Sequence, residues 1–404
     1  MKQQFSPHMI TRRAALRTAS MLALALRTAE AEPAESFDHF LAQLRTDAAE
    51  RGVTAATFNA ALSGVTPDPA VMAAMRREPE YGKPMPTYLA SLVSPTRIAA
   101  GQRKLAQWAD TLRAVQQRFG VEPAILVSIW GVESGFGEAP GGWDVFRSLA
   151  TLAAARFQHP LFRNELISAL VILQQGKIAR SQFVGSWAGA MGQPQFLPSS
   201  YLRYAVDFDG DGRADIWSSV PDVLASIANY LQKFNWRAGV PWGFEVVAPQ
   251  KFDFRESRGT LRQWVERAFR RADGGALPNE GAAILFFPSG ASGPAFLVTE
   301  NFVVIKTFNN SDAYALAVGT LSDRLRHSSP IRAVWPADDY QPSRDTRIAL
   351  QRRLAALGFK IADFEGHLDF ELRDAVREEQ RRFGMTADGY PSRAFLQRLG
   401  VAAR

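Results

Sequence analysis

The sequence predicts a mainly helical α+β protein with more than one domain, and three observations lead to that prediction. Apolar residues recur at helical spacing through most of residues 36–175. Short apolar runs between 244 and 306 are instead typical of strands. A polar segment with three prolines, 328–342, then precedes a further set of helical patterns. At 404 residues and 47% hydrophobic, the chain is long enough to bury a substantial core.

The first 31 residues are typical of an export signal. The basic side chains of this segment before its apolar part are Lys2, Arg12, Arg13 and Arg17. A short apolar stretch follows at 21–26, and Ala29, Glu30 and Ala31 form a cleavage site of the A-x-A kind. The pair Arg12-Arg13 resembles a twin-arginine signal, which addresses folded proteins for export. A disordered basic amino terminus is the alternative.

Composition excludes several classes of site. The chain has no cysteine, which excludes disulfides, thiolate catalysis, cysteine zinc sites and a lipid on an amino-terminal cysteine. Residues 1–31 supply +4 of the net charge of +7, so the remainder is only mildly basic. That balance suits an acidic polymer and does not require nucleic acid. With no apolar stretch long enough to span a bilayer, we expect a soluble, periplasmic protein without a membrane anchor.

Residues 36–120 are predicted to be mostly helical. Helices are expected at 37–50 and 55–63, with a looser, proline-containing stretch over 67–88. The spacing predicts one further helix over 104–119, closed by Gly120. Its apolar stripe consists of Leu105, Trp108, Leu112, Val115 and Phe119.

The segment 123–137, PAILVSIWGVESGFG, reads as a helix with one acid at its far end. Pro123 suits the first helical turn, and Gly135 ends the helix. Glu133 is the one ionisable residue of the segment and shares a face with Ile129 and Trp130. Apolar neighbours and the negative end of the helix dipole both favour a protonated carboxyl that can donate a proton. The alternative is a surface glutamate at the end of a core helix.

A second segment, 185–201, GSWAGAMGQPQFLPSSY, combines small residues with amides, hydroxyls and aromatic rings. Small residues allow a ligand to approach the backbone, while amides and hydroxyls offer neutral hydrogen bonds. Such a mixture suits a sugar polymer, and a purely structural loop is the alternative. Helices are expected before it at 148–155 and 160–175.

The segment DFDGDGRADIWS, 207–218, has the spacing of a calcium-binding loop. The ligands of the first half would be Asp207, Asp209, Asp211 and the backbone carbonyl of Arg213. Gly212 occupies the position of the sharp turn, and Asp215 the ninth position. Ser218 replaces the bidentate acid of the twelfth position, which weakens binding. The alternatives are a structural calcium and a metal-free turn.

Residues 244–306 form a small β-containing subdomain in this interpretation. Strands are expected at 244–247, 283–287, 295–299 and 302–306, with a helix over 261–269. A helix over 307–326 then ends the first large region.

Residues 328–342 are predicted to be a linker, and 343–402 a small domain of three helices. The linker suggests that the two units are tethered and do not share one core. A helical dimerisation module is the alternative for the terminal domain.

Several of these segments together resemble the lytic murein transglycosylases of the B type. GVESGFG resembles the catalytic glutamate motif of that family, and GSWAGAMGQPQFLPSSY resembles its long cleft motif. VDFDGDGRADIW, SIANYLQKFNW and NFVVIKTFNNSDAYALAV follow in the family's order. The resemblance covers 36–327, while 343–402 resembles the three-helix peptidoglycan-binding domain, with Asp369 in place of a family glycine.

The resemblance implies a lysozyme-like catalytic core that cleaves the bond between N-acetylmuramic acid and N-acetylglucosamine in peptidoglycan. The muramyl 6-hydroxyl, and not water, would attack and leave a 1,6-anhydro end. It further implies that Glu133 acts first as acid and then as base, that no cofactor is required, and that the loop at 207–218 can hold a structural calcium. The residues at the family's cleft positions are Ser186, Gln195, Tyr230 and Asn309. Phe308 stands where the family usually has tyrosine, so one cleft hydroxyl is missing.

Two other functions remain open at the level of sequence. A hydrolytic muramidase would need a positioned water, which the sequence does not reveal. A catalytically silent scaffold that binds the wall would be free to lose Glu133, and the intact GVESGFG segment argues against it.

Overall fold

The computed structural model describes residues 36–403 apart from 78–81, 156–159, Lys177, Lys251 and Arg255. The predicted export signal therefore lies outside the described residues. The helices before the sheet are α1 Phe37–Glu50, α2 Ala55–Leu62, α3 Pro69–Arg77, α4 Met85–Leu92, α5 Pro95–Gln107, α6 Ala109–Phe119, α7 Pro123–Ser134, α8 Val145–Ala154, α9 Leu161–Gln174, α10 Pro198–Tyr204 and α11 Val220–Lys233. The later helices are α12 Leu261–Glu266, α13 Glu300–Lys306, α14 Asp312–Leu325, α15 Arg344–Ala356, α16 Phe370–Arg382 and α17 Arg393–Leu399.

The strands form two small antiparallel sheets. They are β1 Trp143–Asp144, β2 Val184–Gly185, β3 Gly243–Val247, β4 Arg258–Thr260, β5 Arg270–Arg271, β6 Ala282–Phe286 and β7 Ala295–Val298. β1 pairs with β2, and the larger sheet has the order β4-β6-β7-β3-β5. The mainly helical α+β class predicted from the sequence is confirmed. Within the described residues, no helix combines the length and the apolar content needed to cross a membrane.

Helix α7 lies at the centre of the helical core. It begins at Pro123 and ends at Gly135, whose φ of 59° is the left-handed conformation that glycine adopts without strain. All its residues from Ala124 to Gly131 are buried, and it packs against α5, α6, α11 and α14. A helix apolar on every side needs such enclosure. Its carboxyl end is therefore held firmly where Glu133 lies.

The single helix predicted over 104–119 is two helices in the structure. α5 ends and α6 begins at Trp108, whose φ of −109° and ψ of 23° depart from helical values. α5 packs on α7 and α14, whereas α6 packs mainly on α11. The break at Trp108 lets residues of one apolar stripe pack on two different sets of helices, which the periodicity alone does not show.

The larger sheet separates two cores because its side chains alternate between faces. Phe286 and Phe296 belong to the helical core, while Leu285 and Leu297 face a smaller core around Trp264. The short strands β4 and β5 were not predicted. They are short and carry arginines, so apolar alternation gives no signal for them.

The strand predicted over 302–306 is wrong, because this segment belongs to helix α13. Thr299 caps the helix by accepting a hydrogen bond from Asn301 N at 3.2 Å. Phe302, Val304 and Ile305 are buried, at a spacing that both a helix and a strand would accept. The helix predicted over 307–326 also begins later, at Asp312, because 307–311 forms a turn that enters the site.

The described residues from Phe37 onward form one compact unit, which differs from the tethered arrangement that the proline-containing segment suggested. Phe370, at the start of α16, packs against Phe286 and Phe302 of the helical core. Arg377 is buried and donates to the carbonyl of Leu285 at 3.0 Å. The carboxyl-terminal helices thus share a core and buried polar contacts with the sheet.

Candidate active site

A cavity of about 530 Å³ opens beside the carboxyl end of α7. The lining comes from two regions of the chain: the helical region supplies Glu133 and mostly neutral or aromatic residues, besides Lys83 and Asp312, and the carboxyl-terminal region, from residue 341 on, supplies a wall rich in charged residues. The lining from the helical region includes Met85, Tyr88, Glu133, Ser186, Trp187, Gln195, Phe308, Asn309 and Asn310. The lining from the carboxyl-terminal region includes Gln341, Arg344, Arg347, Glu365, His367, Leu368 and Arg373. The cavity is therefore built jointly by regions far apart in sequence.

Glu133 is half-buried at the cavity and is held by a tyrosine from α14. Tyr314 Oη donates a hydrogen bond to Glu133 Oε1 at 2.5 Å. Burial, followed by the charge of Glu133, raises the pKa of Tyr314 well above its ordinary value. The phenol therefore stays protonated and remains a donor at any pH at which the enzyme would work. It fixes one carboxyl oxygen while Glu133 lines the cavity.

Gln193 connects α7 to the loop at 207–218, called the aspartate-rich loop below. Its Oε1 accepts from Trp130 Nε1 at 2.7 Å, and its Nε2 donates to the carbonyl of Trp217 at 2.8 Å. Its backbone N–H bonds the carbonyl of Ile216 at 2.9 Å. Since Trp130 precedes Glu133 by three residues, these bonds hold the turn of α7 that carries the carboxylate.

Ser186 and Gln195, both predicted cleft residues, line the cavity. Ser186 Oγ accepts from the N–H groups of Ala188 and Ala190, at 3.2 and 3.0 Å, so its own proton remains available to a ligand acceptor. Gln195 has a positive φ of 53°, a costly conformation for a residue with a side chain. Its Nε2 donates to the carbonyls of Pro140 and Gly192, both at 2.8 Å, which stabilises this strained turn.

Asn309 also lines the cavity, on the turn between α13 and α14, whereas Tyr230 lies behind that turn. Tyr230 is buried, and its hydroxyl donates to the carbonyl of Thr307 at 2.8 Å. Its ring packs against Phe308, with 4.8 Å between the centroids. The structure thus gives Tyr230 a supporting position, and its direct contact with substrate stays a prediction. Phe308 itself lines the cavity and lies nearly parallel to Tyr314.

Three carboxylates of the described residues line the cavity: Glu133, Asp312 and Glu365. Asp312 lies 2.8 Å from Lys306 Nζ and 2.6 Å from Arg373 Nη2, and all three side chains are largely buried. Burial would raise the pKa of Asp312, but the two cations outweigh it and lower that pKa to about 2. Asp312 is therefore a permanent anion with a structural role and is unsuited to proton transfer.

The aspartate-rich loop has the donors that a calcium ion requires. Oxygen atoms of Asp207, Asp209 and Asp211 lie within 4.8 Å of one another, at a partly exposed surface. Oxygen ligands in this number and arrangement fit calcium, although the third aspartate also pairs with Arg213 at 3.3 Å. Ser218 hydrogen-bonds Asp215, so it contributes to closing the loop and not to a bidentate ligand set.

A residue outside the predicted ligand set organises this loop. Asp222, fully buried on α11, accepts from the N–H groups of Phe208 and Asp215 at 2.7 and 2.8 Å. It also accepts from Asp209 N at 3.3 Å. A buried carboxylate with several backbone donors holds the loop in shape with or without a metal.

Sequence reasoning missed Tyr314, Gln193 and the charged wall of the cavity. Tyr314 lies inside a run of small apolar residues, and a phenol buried in such a run needs a hydrogen-bond partner, which is a usable signal. Gln193 lies within the predicted cleft segment but is indistinguishable there from Gln195. The charged wall depends on the docking of the carboxyl-terminal helices, for which the sequence offers no local sign.

Comparison with known families gives two matches. The model of the transglycosylase SLT domain matches residues 36–323, and that of a peptidoglycan binding domain matches residues 343–399. The first match covers most of the chain and includes Glu133 with every predicted cleft residue.

Individual relatives agree with these matches. The membrane-bound lytic murein transglycosylase B of Escherichia coli is 32% identical over 253 residues, which are 59% of this chain and 66%, just under two thirds, of that protein. SltB3 of Pseudomonas aeruginosa, solved in complex with NAG-anhNAM-pentapeptide, is 45% identical with a TM-score of 0.82, over 91% of this chain and 100% of that one. The Escherichia coli lytic transglycosylase SLT35, solved in complex with calcium, is 27% identical with a TM-score of 0.60, over 71% of this chain and 92% of that one.

Proposed function

The chain belongs to the transglycosylase SLT family of peptidoglycan lytic transglycosylases, and on that premise we propose that it cleaves the MurNAc–GlcNAc bond with formation of 1,6-anhydro-MurNAc ends. Glu133 would serve as the acid and then as the base. The observation that carries this proposal is the position of Glu133 at the cavity, with one oxygen held by Tyr314.

The charges around the cavity support a mechanism with one carboxyl group. An ordinary glycosidase uses two carboxyl groups on either side of the scissile bond. Here Asp312 is neutralised by two cations, and Glu365 belongs to the wall formed by the carboxyl-terminal region. Of the lining carboxyl groups that the described helical region supplies, Glu133 is thus the one suited to proton transfer.

In the proposed reaction, Glu133 gives its proton to the glycosidic oxygen as the bond breaks. The resulting carboxylate then takes the proton of the muramyl 6-hydroxyl, which closes the anhydro ring and restores the acid. The neutral groups of Ser186 and Asn309 would bind sugar hydroxyls and amides, and the rings of Trp187 and Phe308 would cover sugar faces. The bound NAG-anhNAM-pentapeptide of SltB3 supports a product of this kind for the present chain.

We assign regions on the same basis. Residues 36–327 would form the catalytic region, with the subdomain 244–306, and residues 343–402 would bind the wall, joined by 328–342. Residues 1–31 would direct export to the periplasm. A calcium ion in the loop at 207–218 would be structural, held by Asp207, Asp209, Asp211 and the carbonyl of Arg213, and the SLT35 complex with calcium supports that assignment.

Replacing Glu133 with Gln should abolish product formation, because the amide keeps the shape but does not transfer a proton as a carboxylic acid does. The matched control is Glu138→Gln, a nearby exposed residue outside the cavity lining, which should keep wild-type activity. Both variants would be assayed on purified peptidoglycan with mass spectrometry of the soluble products. Substantial turnover by folded Glu133→Gln would refute the assignment.

A further inference from the structure

The turn at 307–311, between α13 and α14, supplies several residues of the cavity lining. Phe308, Asn309 and Asn310 all line the cavity. Asn310 has a positive φ of 47°, a conformation that a residue with a side chain adopts less readily than glycine does. A conformation of this kind persists where the surrounding structure holds the backbone in place. The shape of the turn therefore needs a restraint from outside it.

The two residues that flank this turn form a largely buried ion pair. Lys306 ends α13 and Asp312 begins α14, and Lys306 Nζ lies 2.8 Å from Asp312 Oδ1. Their side chains are only 12% and 8% exposed, so solvent screens the attraction weakly. The pair thus joins the two ends of the turn, which cannot separate unless it breaks.

We propose that Lys306 is a positioning residue, which binds Asp312 across the base of the turn 307–311 and so holds Asn309 where the glycan binds. This inference rests on the proposed function, because Asn309 contacts substrate only if the cavity binds a glycan. It gives Lys306 a role in substrate affinity, although Lys306 itself is not among the residues that line the cavity.

The ammonium group of Lys306 is itself fixed by the carboxyl-terminal region. Its Nζ donates to the carbonyl of Leu368 at 2.5 Å and lies 5.8 Å from the centre of the Phe370 ring. On its other oxygen, Asp312 accepts from Arg373 Nη2 at 2.6 Å. A lysine ammonium group has three donors and no acceptor, so a carbonyl and a carboxylate together define its position. The ion pair is therefore anchored and does not move freely with the turn.

Hydrogen bonds of the backbone transmit this restraint to the lining residues. The N–H of Asn309 donates to the carbonyl of Lys306 at 3.2 Å, and the N–H of Phe308 donates to the carbonyl of Ile305 at 3.1 Å. Asn309 is thus bonded directly to the residue that makes the ion pair. Without the pair, the end of α13 and the start of α14 could move apart, and Asn309 would lose its fixed position.

The test measures KM and kcat of Lys306→Met on a soluble glycan chain, because methionine keeps most of the volume but removes the charge and the donors. KM should rise about tenfold, which corresponds to the loss of about one hydrogen bond to the substrate. The fall in kcat should be smaller, since Glu133 lies on a different helix, α7. The matched control is Lys233→Met, an exposed lysine that likewise ends a helix, α11, and lies outside the cavity lining. It should leave both constants unchanged.

A double variant separates positioning of Asn309 from a general loss of structure. In an enzyme that already carries Asn309→Ala, the further change Lys306→Met should alter KM by less than about twofold, because the group that Lys306 positions is gone. An increase of KM by the same factor in both backgrounds would overturn the proposal. A folded Lys306→Met enzyme with the KM of the wild type would overturn it as well.

Hydrogen exchange of the wild type provides a measurement that does not depend on folding of the variant. The N–H groups of Phe308 and Asn309 should exchange as slowly as those of α13, because the turn opens only when the ion pair breaks. Exchange as fast as in an exposed loop would overturn the proposal even if Lys306→Met failed to fold. Absence of glycan cleavage by a wild type whose turn exchanges slowly would instead overturn the proposed function.

Discussion

The carboxylate of Glu133 depends on a phenol that lies 181 residues later in the chain. Tyr314 is fully buried, and its ring lies parallel to Phe308 at the cavity wall. Its high pKa keeps the proton on the phenol, so it acts as a fixed donor to Glu133 Oε1. Such a donor orients the carboxyl group and favours its anionic form, the form that must accept the muramyl proton in the second step.

Replacing Tyr314 with Phe should lower kcat by about tenfold to a hundredfold, because the orienting donor is lost while the ring remains. The pH–rate profile should also move toward higher pH, since the anionic form of Glu133 loses a hydrogen bond. The measurement is kcat as a function of pH on a soluble substrate.

Tyr201→Phe is the matched control for this variant. Tyr201 is also buried and donates to a backbone carbonyl, that of Ala214 at 3.1 Å, but it does not line the cavity. Its loss should reduce stability by a similar amount and leave the pH profile in place. Identical profiles for Tyr314→Phe and the wild type would contradict the role given to Tyr314.

At the residue scale, the sequence predicts what is local and misses what is distant. Glu133 could be identified because its helix, its apolar neighbours and its glycine stop lie within fifteen consecutive residues. Tyr314 and Gln193 could not be assigned their roles, because the hydrogen bonds that give them those roles span 181 and 63 positions. Tyr230 was placed among cleft residues by resemblance, whereas its supporting position behind the turn emerges only from packing.

At the scale of elements, prediction succeeded where a segment carries its own start and stop signals. α1 and α7 begin where their sequence patterns start, and α7 ends at its glycine. The strand prediction for 302–306 failed because a five-residue apolar run is compatible with both a strand and a short helix. The N-terminal cap formed by Thr299 favours the helix. Trp108 interrupts a continuous stripe because α5 and α6 pack on different partners.

The aspartate-rich loop should stabilise the fold when calcium is present and leave the chemistry unchanged. The stabilisation would be roughly 2.7 kcal/mol at a hundredfold excess of calcium over its Kd. The measurement is thermal melting with millimolar calcium and with chelator, alongside the initial rate of cleavage.

Asp211→Asn should lose most of this calcium response, because it removes an anionic ligand. Asp110→Asn, which alters an exposed aspartate outside the loop on α6, should retain it. A melting temperature of the wild type that is the same with calcium and with chelator would favour the metal-free turn, which Asp222 already supports.

At the scale of the whole molecule, a buried ion pair joins the carboxyl-terminal helix α16 to α14, the helix that carries Tyr314. Arg373 donates to Asp312, the first residue of the helix that carries Tyr314. The pKa of Asp312, about 2, lies below its unfolded value, so the pair stabilises the fold above about pH 4 and loses that effect as pH falls toward 2. The prolines of 328–342 led us to expect two tethered units. Proline content shows where regular structure stops, but it does not show whether the regions on either side pack together.

Replacing Arg373 with Met should destabilise the protein by about 3–5 kcal/mol, because a buried carboxylate loses a partner. It should also slow cleavage of short soluble chains, which a tethered wall-binding module would not affect. Arg381→Met removes an arginine of an exposed ion pair on the same helix and should cost less than about 1 kcal/mol. Unfolding in denaturant and rates on soluble chains provide the two readouts, and unchanged rates for folded Arg373→Met would restore the tethered interpretation.

We expect the muramyl 6-hydroxyl, and not water, to attack the anomeric carbon when Glu133 assists cleavage of the glycosidic bond. Digestion of purified peptidoglycan by the wild-type enzyme in water labelled with heavy oxygen, followed by mass spectrometry, tests it directly. We predict muramyl ends in the anhydro form, lighter than a reducing end by one water and free of the label, with none formed by Glu133→Gln. Reducing ends that carry heavy oxygen would show that water attacks and would contradict the claim.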